Sequence, residues 1–138
     1  MYRRASMSSR TASCSCGQLT ATCVGDPIRV SMCHCLACQQ RTGSAFGIQA
    51  RFPRANVSIA GPETLYERVG DSGGRVTFHF CSKCGSTVCW ELDGLPDFIA
   101  VAVGAFADPK FPPPTVSISG ARRHSWAVMA GLTIDDQD

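Results

Sequence analysis

Cys14-Ser-Cys16, Cys33-His-Cys35-Leu-Ala-Cys38 and Cys81-Ser-Lys-Cys84 together hold seven of the nine cysteines in this 138-residue chain. Thiolates this close suit a soft divalent metal, and zinc is the default. A disulfide framework fits poorly. Nine is an odd number, and bridges such as Cys14–Cys16 or Cys33–Cys35 would close small, strained rings. Four thiolates close a tetrahedral site, so seven predict one closed site and a set of three that keeps a coordination position open.

Residues 1–13 carry three arginines, four serines and no acid. No apolar core region follows the arginines, as a secretory signal would require, and no helical apolar stripe marks a transit peptide. They read as a flexible N-terminal tail, and clustered thiols without an export signal predict a reducing, cytoplasmic setting. One zinc-binding β domain is expected over residues 14–130, and an acidic C-terminal tail over 131–138. No apolar stretch approaches the ~20 residues of a membrane span. Net charge is +2, and eleven of the 13 basic residues are scattered arginines, without the dense basic stripe of a nucleic-acid binder.

Strand signals recur along the chain, broken by Gly, Pro and Asp. Gln18 to Val24 alternates, with Leu19, Ala21 and Cys23 on one face. Further strands are expected over Ile28–Met32, Ala45–Phe52, Val57–Ala60, Thr64–Val69, Arg75–Phe80, Thr87–Leu92, Phe98–Phe106 and Val116–Ser119. Phe98–Phe106 is apolar on both faces, the mark of a strand buried on both sides. Pro112-Pro113-Pro114 forms a connection, and a turn or short helix is expected near Trp126. Many short strands predict an all-β fold.

Cys33, Cys35 and Cys38 lie within six residues and form the local set of three. The pairs Cys14/Cys16 and Cys81/Cys84 would then meet in space and close the other site. Such a site staples the N-terminal region to the middle of the chain and contributes directly to folding. Cys81-x-x-Cys84-Gly85 falls between two strands, the knuckle position. His34, His79 and His124 are the protein groups that could fill the fourth position beside Cys33, Cys35 and Cys38. Cys23 and Cys89 sit inside apolar strands and read as core.

The combined pattern resembles the glutathione-dependent formaldehyde-activating enzyme family, which also takes in centromere protein V. The matching stretches are Cys14-Ser-Cys16-Gly17, then Cys33-His-Cys35-Leu-Ala-Cys38-Gln-Gln-Arg41-Thr42-Gly43-Ser44, then Phe80-Cys81-Ser-Lys-Cys84-Gly85-Ser86. The resemblance implies a β-tent of small antiparallel sheets and two zinc ions per chain. One is structural, on Cys14, Cys16, Cys81 and Cys84, and one is catalytic, on Cys33, Cys35 and Cys38. It implies a carbon–sulfur lyase joining glutathione to formaldehyde as S-hydroxymethylglutathione. Arg41, Arg51, Arg54, Arg122 and Arg123 are candidates to hold glutathione carboxylates, with Arg41 first, and Ser44 is a candidate donor beside the metal. The alternatives are a non-catalytic zinc-stabilised binding module and a thiol–zinc stress sensor.

Overall fold

The computed structural model describes residues 8–70 and 72–137. Alternation in the first strands sets up its smaller sheet. In β2 (Thr20–Val24), Ala21 and Cys23 point inward with Leu19, and all three are fully buried. β1 (Ser9–Ser13) pairs antiparallel with β2, and β5 (Val57–Ala60) pairs with its other edge. Gly61, just after β5, has φ +110°, and a Cβ there would lie 1.9 Å from the Gln18 carbonyl oxygen. Only glycine lets the chain leave the sheet so close to the start of β2.

The larger sheet has eight strands. It contains β3 (Arg29–Cys33), β4 (Gly47–Pro53), β6 (Glu63–Val69), β7 (Arg75–Cys81), β8 (Thr87–Leu92), β9 (Phe98–Ala102), β10 (Val116–Ile118) and β11 (Asp135–Gln137). Their order is β11-β10-β3-β4-β9-β8-β7-β6. The expected all-β class holds. The ladders are antiparallel except around β10, which runs parallel to both β3 and β11. The parallel pairing follows from the long connection over residues 103–115, whose proline run carries the chain back to the open side of β3.

Three expected boundaries move. Residues 9–13, placed in the N-terminal tail, form β1, because Ala12 packs into the core and Thr11 Oγ1 meets Thr22 Oγ1 at 3.3 Å. Residues 1–7 of that tail lie outside the described residues. Residues 135–137, placed in the acidic C-terminal tail, form β11, and Asp136 is tied to Arg123 at 3.0 Å; Asp138 lies outside the described residues. The strand expected to run from Phe98 to Phe106 stops at Ala102. A 3-10 turn over Val103–Phe106 then delivers Phe106 against Phe52 and Phe111, with ring centroids 6.2 and 4.6 Å away. No helix among the described residues is long and apolar enough to cross a membrane.

β9 is buried on both sides, as its composition predicts. Ile99 and Val101 join the main core with Leu19, Ala21, Phe52 and Val88, which fills the space between the two sheets. Ala100 faces the opposite side, against Phe78 and Trp90. One sheet therefore offers its two faces to different tasks.

A charged clasp fixes the edge strand β6. The buried His79 ring lies 2.6 Å from Glu63 through Nδ1 and 2.6 Å from Glu91 through Nε2. Arg54 Nη2 reaches Glu91 at 2.6 Å. Burial alone would lower the His79 pKa, but the two carboxylates outweigh it and raise it. Burial likewise opposes ionisation of Glu91, and the bonds from His79 and Arg54 override it, so its pKa falls below the usual 4.5. A carboxylate with a depressed folded pKa stabilises above its unfolded pKa and loses that contribution as pH falls through the folded value. Glu91→Gln should therefore cost about 1–3 kcal/mol at neutral pH. In urea unfolding the gap from the wild type should shrink steadily as pH drops below 4.5. A gap independent of pH would remove the charged role of Glu91.

Candidate metal centres and the arginine-lined cavity

The four-cysteine group forms where two turns meet. The first follows β1: the Gly17 N–H donates to the Cys14 carbonyl at 3.0 Å, and Gly17 takes a left-handed φ of +83°. The second follows β7. There the N–H groups of Lys83 and Cys84 donate to Cys81 Sγ at 3.3 and 3.5 Å, and the Gly85 N–H donates to the Cys81 carbonyl at 2.9 Å. This is the knuckle expected from the Cys-x-x-Cys-Gly spacing. Ser86 Oγ accepts from the Ser15 N–H at 3.2 Å and locks the turns together. Cys16 Sγ lies 3.6 Å from both Cys14 Sγ and Cys81 Sγ, and all four sulfurs lie within 4.8 Å of one another. A tetrahedron with zinc–sulfur bonds of about 2.3 Å has edges of about 3.8 Å, so the set fits a zinc ion.

The three-cysteine group is local, as its spacing requires. Cys33 ends β3. Cys35 caps the helix α1 (Leu36–Thr42), its sulfur accepting from the Cys38 N–H at 3.3 Å, and Cys38 lies buried in the first turn. The helix closes on Gly43, left-handed at φ +65°. Gln39 holds the knot from behind. Its Nε2 donates to the carbonyls of His34 at 2.9 Å and Arg122 at 3.1 Å. The three sulfurs again lie within 4.8 Å of one another. A hydrogen bond from Cys38 brings the Cys33 thiol down to about 5. The same contact pushes the Cys38 thiol upward, and burial adds to it. One proton leaves easily and the next is held, which is how crowded thiols behave until a cation replaces their protons.

No histidine joins either group among the described residues. The His34 ring is buried on the opposite face of the sheet from Cys33, beside Met32 and Ser117, and tilts against Phe46 at 5.6 Å. His79 is held in the carboxylate clasp. His124 Nε2 meets Gln39 Oε1 at 2.9 Å. Cys23 and Cys89 are fully buried in the core, and burial pushes their thiols up to about 11 and about 12.

In front of the three-cysteine knot lies a cavity of about 880 Å³. Its walls carry the three cysteines, Gln49, the arginines Arg41, Arg68 and Arg122, and an apolar side formed by Leu36, Val76, Phe78, Trp90, Leu92 and Ile118. Among the described residues, no carboxylate lines it. Arg41 projects from α1 across the Trp90 ring, 4.2 Å from its centroid, with Phe78 at 5.7 Å. Gly47 makes room for it, since a Cβ there would lie 2.8 Å from Arg41 Nη2. Arg68 stacks on Phe78 at 5.4 Å.

Of the arginines singled out from sequence, Arg41 and Arg122 line the cavity. Arg51 stacks near Phe98 at 6.0 Å, Arg54 pairs with Glu91 and Arg123 with Asp136. Ser44 lies exposed beyond the helix cap and does not line the cavity; its N–H donates to Thr42 Oγ1 at 3.2 Å. Arg68 and Trp90 escaped sequence reasoning. The signal was present in strand alternation: Arg68 pairs with Val76, and Phe78 with Trp90, so all four share a face.

No curated protein matches the chain. A solved Rhodobacter sphaeroides protein, described as a structural genomics target, superposes with a TM-score of 0.56. It is 19% identical and covers 75% of this chain and 91% of its own. At that identity the likeness concerns the fold alone. The sequence pattern described as glutathione-dependent formaldehyde-activating enzyme matches residues 9–121. With that span covering both cysteine groups and, of the cavity arginines, Arg41 and Arg68, the chain belongs to the glutathione-dependent formaldehyde-activating enzyme family.

Proposed function

We propose that this protein is a zinc-dependent carbon–sulfur lyase. It joins the thiol of glutathione to formaldehyde or a related small electrophile, and the product is an S-hydroxymethylglutathione-like adduct. The observation that carries this reading is the pairing, among the described residues, of a three-cysteine cluster free of any fourth protein ligand with a cavity lined by three arginines and no acid. A zinc ion on Cys33, Cys35 and Cys38 would supply a coordination position at which a thiol is bound and deprotonated at neutral pH.

The chain's own groups account for the rest. Glutathione is an anion with two carboxylates, and Arg41, Arg68 and Arg122 offer forked donors to them. Arg41 is pre-oriented by the Trp90 ring, so little of its freedom is lost on binding. Cys35 at the helix cap and Cys38 one turn later fix where sulfur sits relative to those cations, which is catalysis by position. Among the described residues no imidazole or carboxylate lines the cavity, and the thiol proton would pass to water. Cys14, Cys16, Cys81 and Cys84 form the structural site, whose ligands complete a tetrahedron without help from a substrate.

With cobalt in place of zinc, glutathione should change the visible ligand-field bands at about one equivalent. An unchanged spectrum at millimolar glutathione removes direct coordination. Arg41→Lys keeps the charge but loses the fork, and should weaken glutathione binding about tenfold by calorimetry. Affinity equal to the wild type would remove Arg41 from carboxylate recognition.

The two metal sites should also separate by variant. Cys38→Ser should lower the zinc content by one ion per chain and leave the far-ultraviolet circular dichroism unchanged. Cys81→Ser should unfold the protein, since the closed site contributes folding energy outright. Equal unfolding by both variants would make the second site structural as well.

A further inference from the structure

The apolar side of the cavity is unexplained by glutathione and formaldehyde. Glutathione is polar and charged along most of its length, and the three arginines answer that chemistry. Formaldehyde adds one carbon, one bond away from the sulfur. Yet Leu36, next to Cys35 at the start of α1, is 53% exposed at the cavity mouth. Ile118 on β10, paired with Cys33 in the ladder, lines the same cavity. Across the cavity, Val76 and Leu92 face each other as a cross-strand pair and are only half-buried. The Trp90 and Phe78 faces between them are already covered by Arg41 and Arg68. What remains uncovered on this apolar side is aliphatic. A volume near 880 Å³ sits toward the upper end of small-molecule sites, larger than a tripeptide thiol and a one-carbon aldehyde need.

We infer that the electrophile of this chain is an aldehyde bearing an apolar substituent of several carbons, which packs on Leu36, Ile118, Val76 and Leu92 while the arginines hold the carboxylates of the thiol. The inference rests on the glutathione reading above. The chemistry stays that of simple addition. The sulfur lone pair forms the C–S bond as the carbonyl π bond opens. The thiol proton passes through water to the new hydroxyl, and nothing is oxidised or reduced.

Stable thioethers test the packing without turnover. On the zinc-loaded protein, S-hexylglutathione should bind at least about tenfold tighter than S-methylglutathione by calorimetry, because buried methylenes add favourable transfer energy. The double change Val76→Ser with Leu92→Ser should bring that ratio close to one. Val69→Ser, an exposed apolar change outside the cavity, should leave the ratio as it is. In solution, exchange between glutathione and hexanal, followed by NMR, should be accelerated more strongly by the protein than exchange with formaldehyde. Equal affinity for the two thioethers, a ratio insensitive to Val76 and Leu92, or faster catalysis with formaldehyde would each overturn the inference while leaving the glutathione reading intact. If neither thioether binds and the cobalt spectrum ignores glutathione, both fall together.

Discussion

The junction of four sulfurs between the β1–β2 turn and the β7–β8 turn is the constraint on which the rest of the structure depends. Cys16 and Cys81 are 65 positions apart, yet their sulfurs lie within 3.6 Å. Closing so long a loop costs chain entropy that a single weak contact does not offset. Left as thiols, Cys16 and Cys84 are pushed in opposite directions. Despite a backbone donor at Gln18, burial and the neighbouring sulfurs push Cys16 up to about 11, whereas hydrogen bonds at Ser86 pull Cys84 down to about 5. A divalent cation held by the four sulfurs would resolve that conflict by taking the place of the protons. Cys14 and Cys81 are also members of the main core, so a metal there would anchor the corner where the small sheet meets the large one.

From that corner the larger sheet inherits two different faces. Val88, Cys89, Ile99 and Val101 point toward the small sheet and are sealed. On the other face, Ala100 lies under Phe78 and Trp90, and the cavity opens beside them. The knot at Cys33–Cys38 belongs to this second face because Cys33 ends a strand and α1 folds over from it. Arg41, one turn past Cys38, is then carried onto the Trp90 ring. A seven-residue helix would be marginal alone. Here it is held by its cap at Cys35, by Gln39 from behind and by the guanidinium stack in front.

What could be read in the sequence was local or strictly periodic. The cysteine knots state their own geometry, because Cys-x-x-Cys-Gly in a hairpin has few alternatives. The strand from Phe98 declares double burial through Ile99, Ala100 and Val101. Features that escaped depend on pairings between distant strands. Glu63, His79 and Glu91 come from three strands, and nothing in any one of them signals a charged clasp. Arg68 enters the cavity only because β6 pairs with β7 in the register that puts it opposite Val76. The two outermost strands carry no sequence signal for a related reason. Ser9–Ser13 and Asp135–Gln137 are polar and short, and each becomes a strand only because a sheet edge is waiting for it.

The placement of the histidines keeps the three-cysteine group a set of three among the described residues. His34 lies between two of the three sulfurs in sequence, and strand alternation alone turns it to the opposite face from Cys33. His79 is consumed by two carboxylates, and His124 is turned toward Gln39 with its ring against Trp126 at 4.9 Å. Any of these imidazoles at the knot would complete a closed site like the first. With all three directed elsewhere, two groups built from the same residue type divide by count. Four sulfurs are enough to complete a tetrahedron around a metal, whereas three, among the described residues, stand without a fourth protein ligand.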